Sequence, residues 1–138
     1  MTTARDIMTA GADVLSPDTT VIDAAKKLAS EDYGSIPICD GDRLQGIVTD
    51  RDIVVKVLAA GKDPATTKVI DLTKDQGELV TIGADDPIEE ITRTMSEHQV
   101  RRLPVIDGHR LVGMVAQADL ARTGQDAETG ETVESISR

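Results

Sequence analysis

Apolar positions along the chain follow two periods, and each change of period marks an element. Val21, Ala24, Ala25 and Leu28 keep the spacing of one helix face, while Asp23, Lys26, Lys27 and Glu31 fall elsewhere. Just before them stand Ser16, Asp18, Thr19 and Thr20, residue types that cap the free amides of a first turn. Gly34 ends that helix, and Ile36-Pro37-Ile38-Cys39 reads as a strand, turned at Asp40-Gly41-Asp42-Arg43 and returning over residues 44–49. Proline cannot donate to a ladder, so Pro37 belongs at an edge, a bulge or a first position. A helix from near Asp50 is predicted through Ile53, Val54, Val57 and Leu58 to Ala60, with Gly61 as a left-handed stop. Ahead of all this, residues 4–8 predict a short helical turn and 14–15 a short strand.

The pattern then recurs. Gly46-Ile47-Val48-Thr49-Asp50-Arg51-Asp52 returns imperfectly as Gly113-Met114-Val115-Ala116-Gln117-Ala118-Asp119, 67 residues later. At the same offset Pro37 matches Pro104, Asp40-Gly41 matches Asp107-Gly108, Arg43-Leu44 matches Arg110-Leu111, and Asp18 matches Asp85. So dense a set of identities is an internal duplication. The second copy predicts a short turn at 69–72 and a strand at 80–82. A helix with an aspartate cap at Asp85-Asp86 follows, with Pro87, Glu89 and Glu90 in its first turn and Ile88, Ile91 and Met95 buried. A hairpin over 103–106 and 110–115, turned at Asp107-Gly108-His109, leads into a last helix at 117–122.

The chain therefore divides into repeat 1 (1–61), a polar connector (62–68) containing Pro64, repeat 2 (69–122) and an acidic polar tail (123–138) with little apolar surface to bury. Neither repeat has helices enough to cover its own sheet. The fold class expected is α/β (α+β): two β-α-β-β-α copies packed about a pseudo-twofold axis.

Length and charge narrow what such a unit does. At 138 residues there is room for one compact domain with a real core and hardly for two independent ones. A formal net charge of −10 opposes a duplex nucleic-acid or anionic-membrane surface, which needs clustered Lys and Arg. Trp and Phe are absent and Tyr33 is the one aromatic, so stacking platforms for single strands are missing. No apolar run approaches the ~20 residues of a membrane span, and the start lacks a signal core. The single cysteine, Cys39, cannot pair within the chain and fits a reducing compartment, so a cytoplasmic location is expected.

The candidate chemistry lies where each hairpin runs into a helix. A strand-to-helix junction offers backbone amides and the positive end of a helix dipole. At the first, Thr49 supplies a hydroxyl, and three residues on Asp52 supplies a carboxylate able to accept both hydroxyls of a cis-diol. At the second, Asp119 remains but Ala116 replaces the hydroxyl. Both aspartates also read simply as first-turn residues that favour the helix dipole, and Arg101-Arg102 as a solvated pair flanking a strand.

The same stretches resemble the cystathionine-β-synthase (CBS) domain family in its paired form, the Bateman module, over roughly residues 4–121. Ile36-Pro37-Ile38-Cys39-Asp40 with 44–52, and Leu103-Pro104-Val105-Ile106-Asp107 with 111–115 and Asp119, carry the resemblance. It implies clefts between the repeats for adenosine-type ligands such as AMP, ADP, ATP or S-adenosylmethionine. It further implies that Asp52 and Asp119 hold ribose hydroxyls, that Thr49 approaches the ribose-phosphate, and that Arg101 and Arg102 contact phosphates. It also implies flat homodimers formed through the helical faces.

Enzyme readings find no support: there is no GxxxxGK[ST] loop and no nucleophile motif, so no catalytic residue or catalytic cofactor is assigned. No CxxC or HxxxH spacing suggests a metal site. The function expected is a standalone regulatory pair that binds an adenine nucleotide and signals to a protein partner the sequence does not identify. The alternative is a ligand-independent interaction or assembly protein that keeps the fold without a working pocket.

Overall fold

The 67-residue offset reappears element by element in the computed structural model, which describes residues 1–11, 13–31 and 34–123. In chain order come α1 (Ala4–Ile7), β1 (Thr9–Ala10), α2 (Val21–Glu31), β2 (Ser35–Asp40), β3 (Arg43–Thr49) and α3 (Asp50–Ile53). A π turn (Val54–Leu58) and a 3-10 turn (Val69–Thr73) follow, then β4 (Ile82–Gly83), α4 (Ile88–His98), β5 (Arg102–Asp107), β6 (Arg110–Ala116) and α5 (Gln117–Ala121). The helix α2 and the hairpin β2–β3 map onto α4 and β5–β6 residue for residue at that offset. Tyr33 and tail residues 124–138 lie outside the described residues.

Two compact units hold these elements, one spanning Asp13–Leu79 and the other joining Met1–Ala12 to Val80–Arg138. The segments that lead each sequence copy are thus exchanged. Met1–Ala12 folds with the second hairpin, and the 3-10 turn at Val69–Thr73 folds with the first.

In the Asp13–Leu79 unit, β2 and β3 pair antiparallel from Ser35↔Thr49 to Asp40↔Arg43, with a bulge at Ile38/Cys39. The expected strand at 14–15 is a single parallel bridge: the Leu15 N–H donates to Pro37 O, and Leu15 O accepts from the Cys39 N–H, each at 2.9 Å. The N–H that Pro37 lacks would point to that same side, where the bridge is too short to need it. Behind the hairpin, Val21, Ala24 and Leu28 of α2 pack with Ile36, Ile38, Val48, Ile53, Val57, Val69 and Leu72. The helix expected from Asp50 to Ala60 is shorter as an α-helix. It changes to π winding at Val54 and leaves Val54, Val55 and Leu58 exposed. Its stop is as read, with Gly61 at φ 74 and the Lys62 N–H donating back to Val57 O at 2.9 Å.

In the other unit β4 runs parallel to β5, β5 antiparallel to β6, and β1 pairs with β6 through Thr9↔Met114 and Ala10↔Gly113. Ala4, Ile82, Ala84, Ile88, Ile91, Met95, Leu103, Val105, Val115 and Leu120 form its core. The start of α4 corrects the expected aspartate cap: Pro87, with ψ 162, is the cap residue, and Asp85 and Asp86 both lie upstream of it. The cause is tertiary. Asp86 O accepts the Ala4 N–H at 2.9 Å, and Pro87, extended at φ −75 and ψ 162, bridges Thr3. Asp86 turns its carboxylate back to the Gly83 N–H at 2.9 Å.

Candidate functional site

Thr49 closes β3 in an extended conformation, φ −115 and ψ 161, so its side chain faces the first turn of α3. The Thr49 hydroxyl accepts from the Asp52 N–H at 3.0 Å, and Asp52 Oδ2 accepts from the Thr49 N–H at 3.0 Å. This reciprocal box satisfies two orphan amides and brings the predicted hydroxyl and carboxylate together on one turn. The neighbouring Asp50 N–H donates to Gly34 O at 3.1 Å, tying the junction to the entry of β2.

The second oxygen of Asp52 faces Lys56 Nζ at 3.5 Å. The same ammonium donates to Leu72 O at 2.9 Å and to Asp75 Oδ1 at 2.7 Å. The hydrogen bond from Lys56 holds the Asp75 carboxyl below its usual range, and Asp75 in turn raises Lys56. A lowered carboxylate contributes stability above its unfolded pKa and loses it as pH falls through the lowered value. A raised lysine contributes below its unfolded pKa and loses it as pH rises through the raised one. The pair is therefore at full strength between the ordinary carboxylate and lysine ranges, and is lost only below the first and above the second. Beside it, Gln76 clasps the backbone of Ile47: its Oε1 accepts the Ile47 N–H at 3.4 Å and its Nε2 donates to Ile47 O.

The second junction is built alike and equipped differently. Ala116, at φ −112 and ψ 159, matches Thr49 in backbone but has no oxygen to offer, so only half of the box forms. Asp119 Oδ2 accepts from the Ala116 N–H at 2.7 Å and Oδ1 pairs with Arg122. The Asp119 side chain is 6% exposed against 18% for Asp52, which leaves the first carboxylate the more reachable. Arg101 and Arg102 stand beside this second junction. Arg101 is exposed and its carbonyl accepts the Gln117 N–H at 2.8 Å, while half-buried Arg102 opens β5 opposite Ala116. The matching positions of the first copy hold Gly34 and Ser35.

Lys56, Asp75 and Gln76 are additions that the sequence reading missed. An Asp52-to-Lys56 spacing of four on a helix was a local signal for the first of them. For Asp75 and Gln76 there was none. Cys39 is buried and free. Among the described residues no three His, Cys, Asp or Glu side chains gather as a metal site, and no helix is long and apolar enough to cross a membrane.

The profile of the CBS domain matches residues 4–59 and again 69–126. Hypoxic response protein 1 of Mycobacterium tuberculosis is 50% identical over 123 residues, covering 88% of this chain and 85% of its own length. The crystal structure of Hypoxic Response Protein I with two coordinated zinc ions aligns with a TM-score of 0.79 at 49% identity, over 88% of this chain and 98% of that one. The CBS domain-containing protein YhcV of Bacillus subtilis is 35% identical over 138 residues, 99% of this chain and 96% of its own. The crystal structure of CBSX2 in complex with AMP aligns with a TM-score of 0.75 at 26% identity, over 91% of this chain and 98% of that one.

Proposed function

The chain belongs to the CBS domain family and carries two repeats of a regulatory module, and from that premise we propose that it binds an adenosine-type nucleotide and passes the signal to a partner protein. AMP, ADP, ATP and S-adenosylmethionine are the candidate ligands. The observation that carries the reading is the Thr49–Asp52 box, a hydroxyl and a partly exposed carboxylate fixed on one turn. A carboxylate so held accepts a ribose cis-diol without first ordering its own side chain. The AMP complex of CBSX2 supports the ligand class. A thermal-shift panel of these nucleotides, adenosine and NADH tests it. Ligand at a hundredfold excess over Kd stabilises by about 2.7 kcal/mol, and a flat response across the panel removes the reading.

Arg101 and Arg102 are the proposed phosphate contacts. In a chain of net charge −10 a phosphate meets long-range repulsion, so it needs a local cationic pair. Changing both to alanine is expected to weaken AMP and ATP far more than adenosine. Wild-type affinity for the two phosphates should also fall as salt screens the pair. Equal effects on all three ligands in a titration at two salt concentrations would leave the arginines as solvated surface.

The proposed assembly is a homodimer, working in the cytoplasm with Cys39 reduced. Val54, Val55 and Leu58 on the π turn and Ile22 on α2 are exposed large apolar residues, a surface suited to self-association. Leu58→Asp is expected to shift the mass seen by light scattering at micromolar concentration from dimer to monomer. A wild type already monomeric there refutes the assembly. The second reading, a ligand-independent assembly protein, has one observation in its favour: Asp52 and Asp119 each already hold a backbone amide and a cation.

A further inference from the structure

We infer that Lys56 is a positioning residue for Asp52 and a latch that joins the first junction to the segment leading into the second copy. An ammonium has three donors, and Lys56 has three acceptors in reach: Asp75 Oδ1 at 2.7 Å, Leu72 O at 2.9 Å and Asp52 Oδ1 at 3.5 Å. Leu72 lies in the 3-10 turn and Asp75 just after it, and the third acceptor is the proposed ribose acceptor. With Oδ2 of Asp52 pinned by the Thr49 N–H at 3.0 Å and Oδ1 facing Lys56, both carboxylate oxygens are oriented before any ligand arrives. Among the described residues the second copy has no such latch. Thr123 stands where Lys56 would be and Met8 where Asp75 would be, and Asp119 is paired by the neighbouring Arg122 instead.

The latch acts in both directions. Hydroxyls that share the charge on Asp52 Oδ1 weaken its pull on Lys56, which alters how firmly Leu72 and Asp75 are held. Removing Lys56 loosens the segment, which Gln76 still ties to Ile47, and leaves Asp52 oriented by one amide only.

The test is amide hydrogen exchange over residues 71–76, together with titration of adenosine, in wild type, Lys56→Met, Lys56→Arg, Asp75→Asn and Asp52→Asn. Lys56→Met and Asp75→Asn are expected to speed exchange there at least fivefold in the ligand-free protein. Lys56→Arg, which keeps the charge, is expected to restore most of the protection. Adenosine affinity should fall about tenfold in Lys56→Met but change no further when that substitution is added to Asp52→Asn, because Lys56 acts through Asp52. Unchanged exchange in both Lys56→Met and Asp75→Asn overturns the latch, and full additivity with Asp52→Asn overturns the positioning role. Asp75 is exposed, so its variant reads the latch even if Lys56→Met folds poorly. The ligand arm rests on the nucleotide reading. A wild type that ignores adenosine counts against that reading, while the ligand-free exchange still decides the latch.

Discussion

Asp52→Asn is expected to weaken adenosine and AMP binding ten- to hundredfold, and Asp119→Asn to weaken it less. Asparagine keeps the shape of the side chain and one oxygen for the Thr49 N–H, so the box loses little of its geometry. What it loses is the charge that a ribose diol would meet. A hydrogen bond to a charged group contributes about 1.5–3 kcal/mol, which is roughly ten- to hundredfold in affinity. Each aspartate holds a backbone amide and a cation, but the Asp119 side chain is the less exposed of the two, so a ligand gains less from it. Thr49→Ala gives the first junction the composition of the second and is expected to cost both affinity and about 0.5–2 kcal/mol of stability as the cap is lost. The converse change, Ala116→Thr, fits the backbone there, since Ala116 has nearly the dihedrals of Thr49. Isothermal titration of the variants measures the affinities. If Asp119→Asn proves the more damaging change, the first junction is not the better site.

Gly113→Ala is expected to destabilise the fold by about 1–3 kcal/mol, the usual cost of overpacking. An added Cβ would stand 2.7 Å from Thr9 O and 2.7 Å from Met8 Sδ. The first of those is backbone of β1, paired to β6 at this point and unable to move without opening the ladder. Its counterpart Gly46 is also crowded, but by a side chain: the Cβ would meet Thr73 Cγ2 at 2.6 Å. Gly46→Ala should therefore be partly rescued by Thr73→Ser, which removes that methyl, leaves the Cβ of residue 73 at 3.0 Å and keeps the hydroxyl that donates to Ile70 O at 2.8 Å. Gly113→Ala should not be rescued by shortening Met8. Urea unfolding of the two glycine variants with and without their partners measures this. Rescue at both sites, or at neither, would contradict the difference between a side-chain and a backbone neighbour.

These two glycines show how far the sequence could be read. Their recurrence at one offset announced the duplication, and the same offset located both hairpins and both long helices. Neither glycine disclosed what presses on it, because Thr73 and Met8 lie far along the chain and are brought close only by folding. The same limit applies to the caps. Thr49 with Asp52 is a contact between residues three apart, and its residue types suffice to predict it. The start of α4 departs from the expected aspartate cap because Thr3 bridges Pro87, which is extended, and Ala4 bonds the Asp86 carbonyl.

By itself the sequence determined the features that depend on local periodicity: the one-sided faces of α2 and α4, the hairpin turns, the Gly61 stop, and the family signature at Thr49–Asp52. Period and turn chemistry act over a few residues, so they are written into neighbouring positions. Tertiary structure alone decided that Met1–Ala12 folds with the second hairpin, that π winding exposes Val54 and Leu58, and that Lys56 reaches Leu72 and Asp75. Those outcomes depend on which distant segments compete for the same sheet edge and the same charge. Such competition is settled by packing and hydrogen-bond satisfaction across the whole unit, which a linear pattern of residues does not encode.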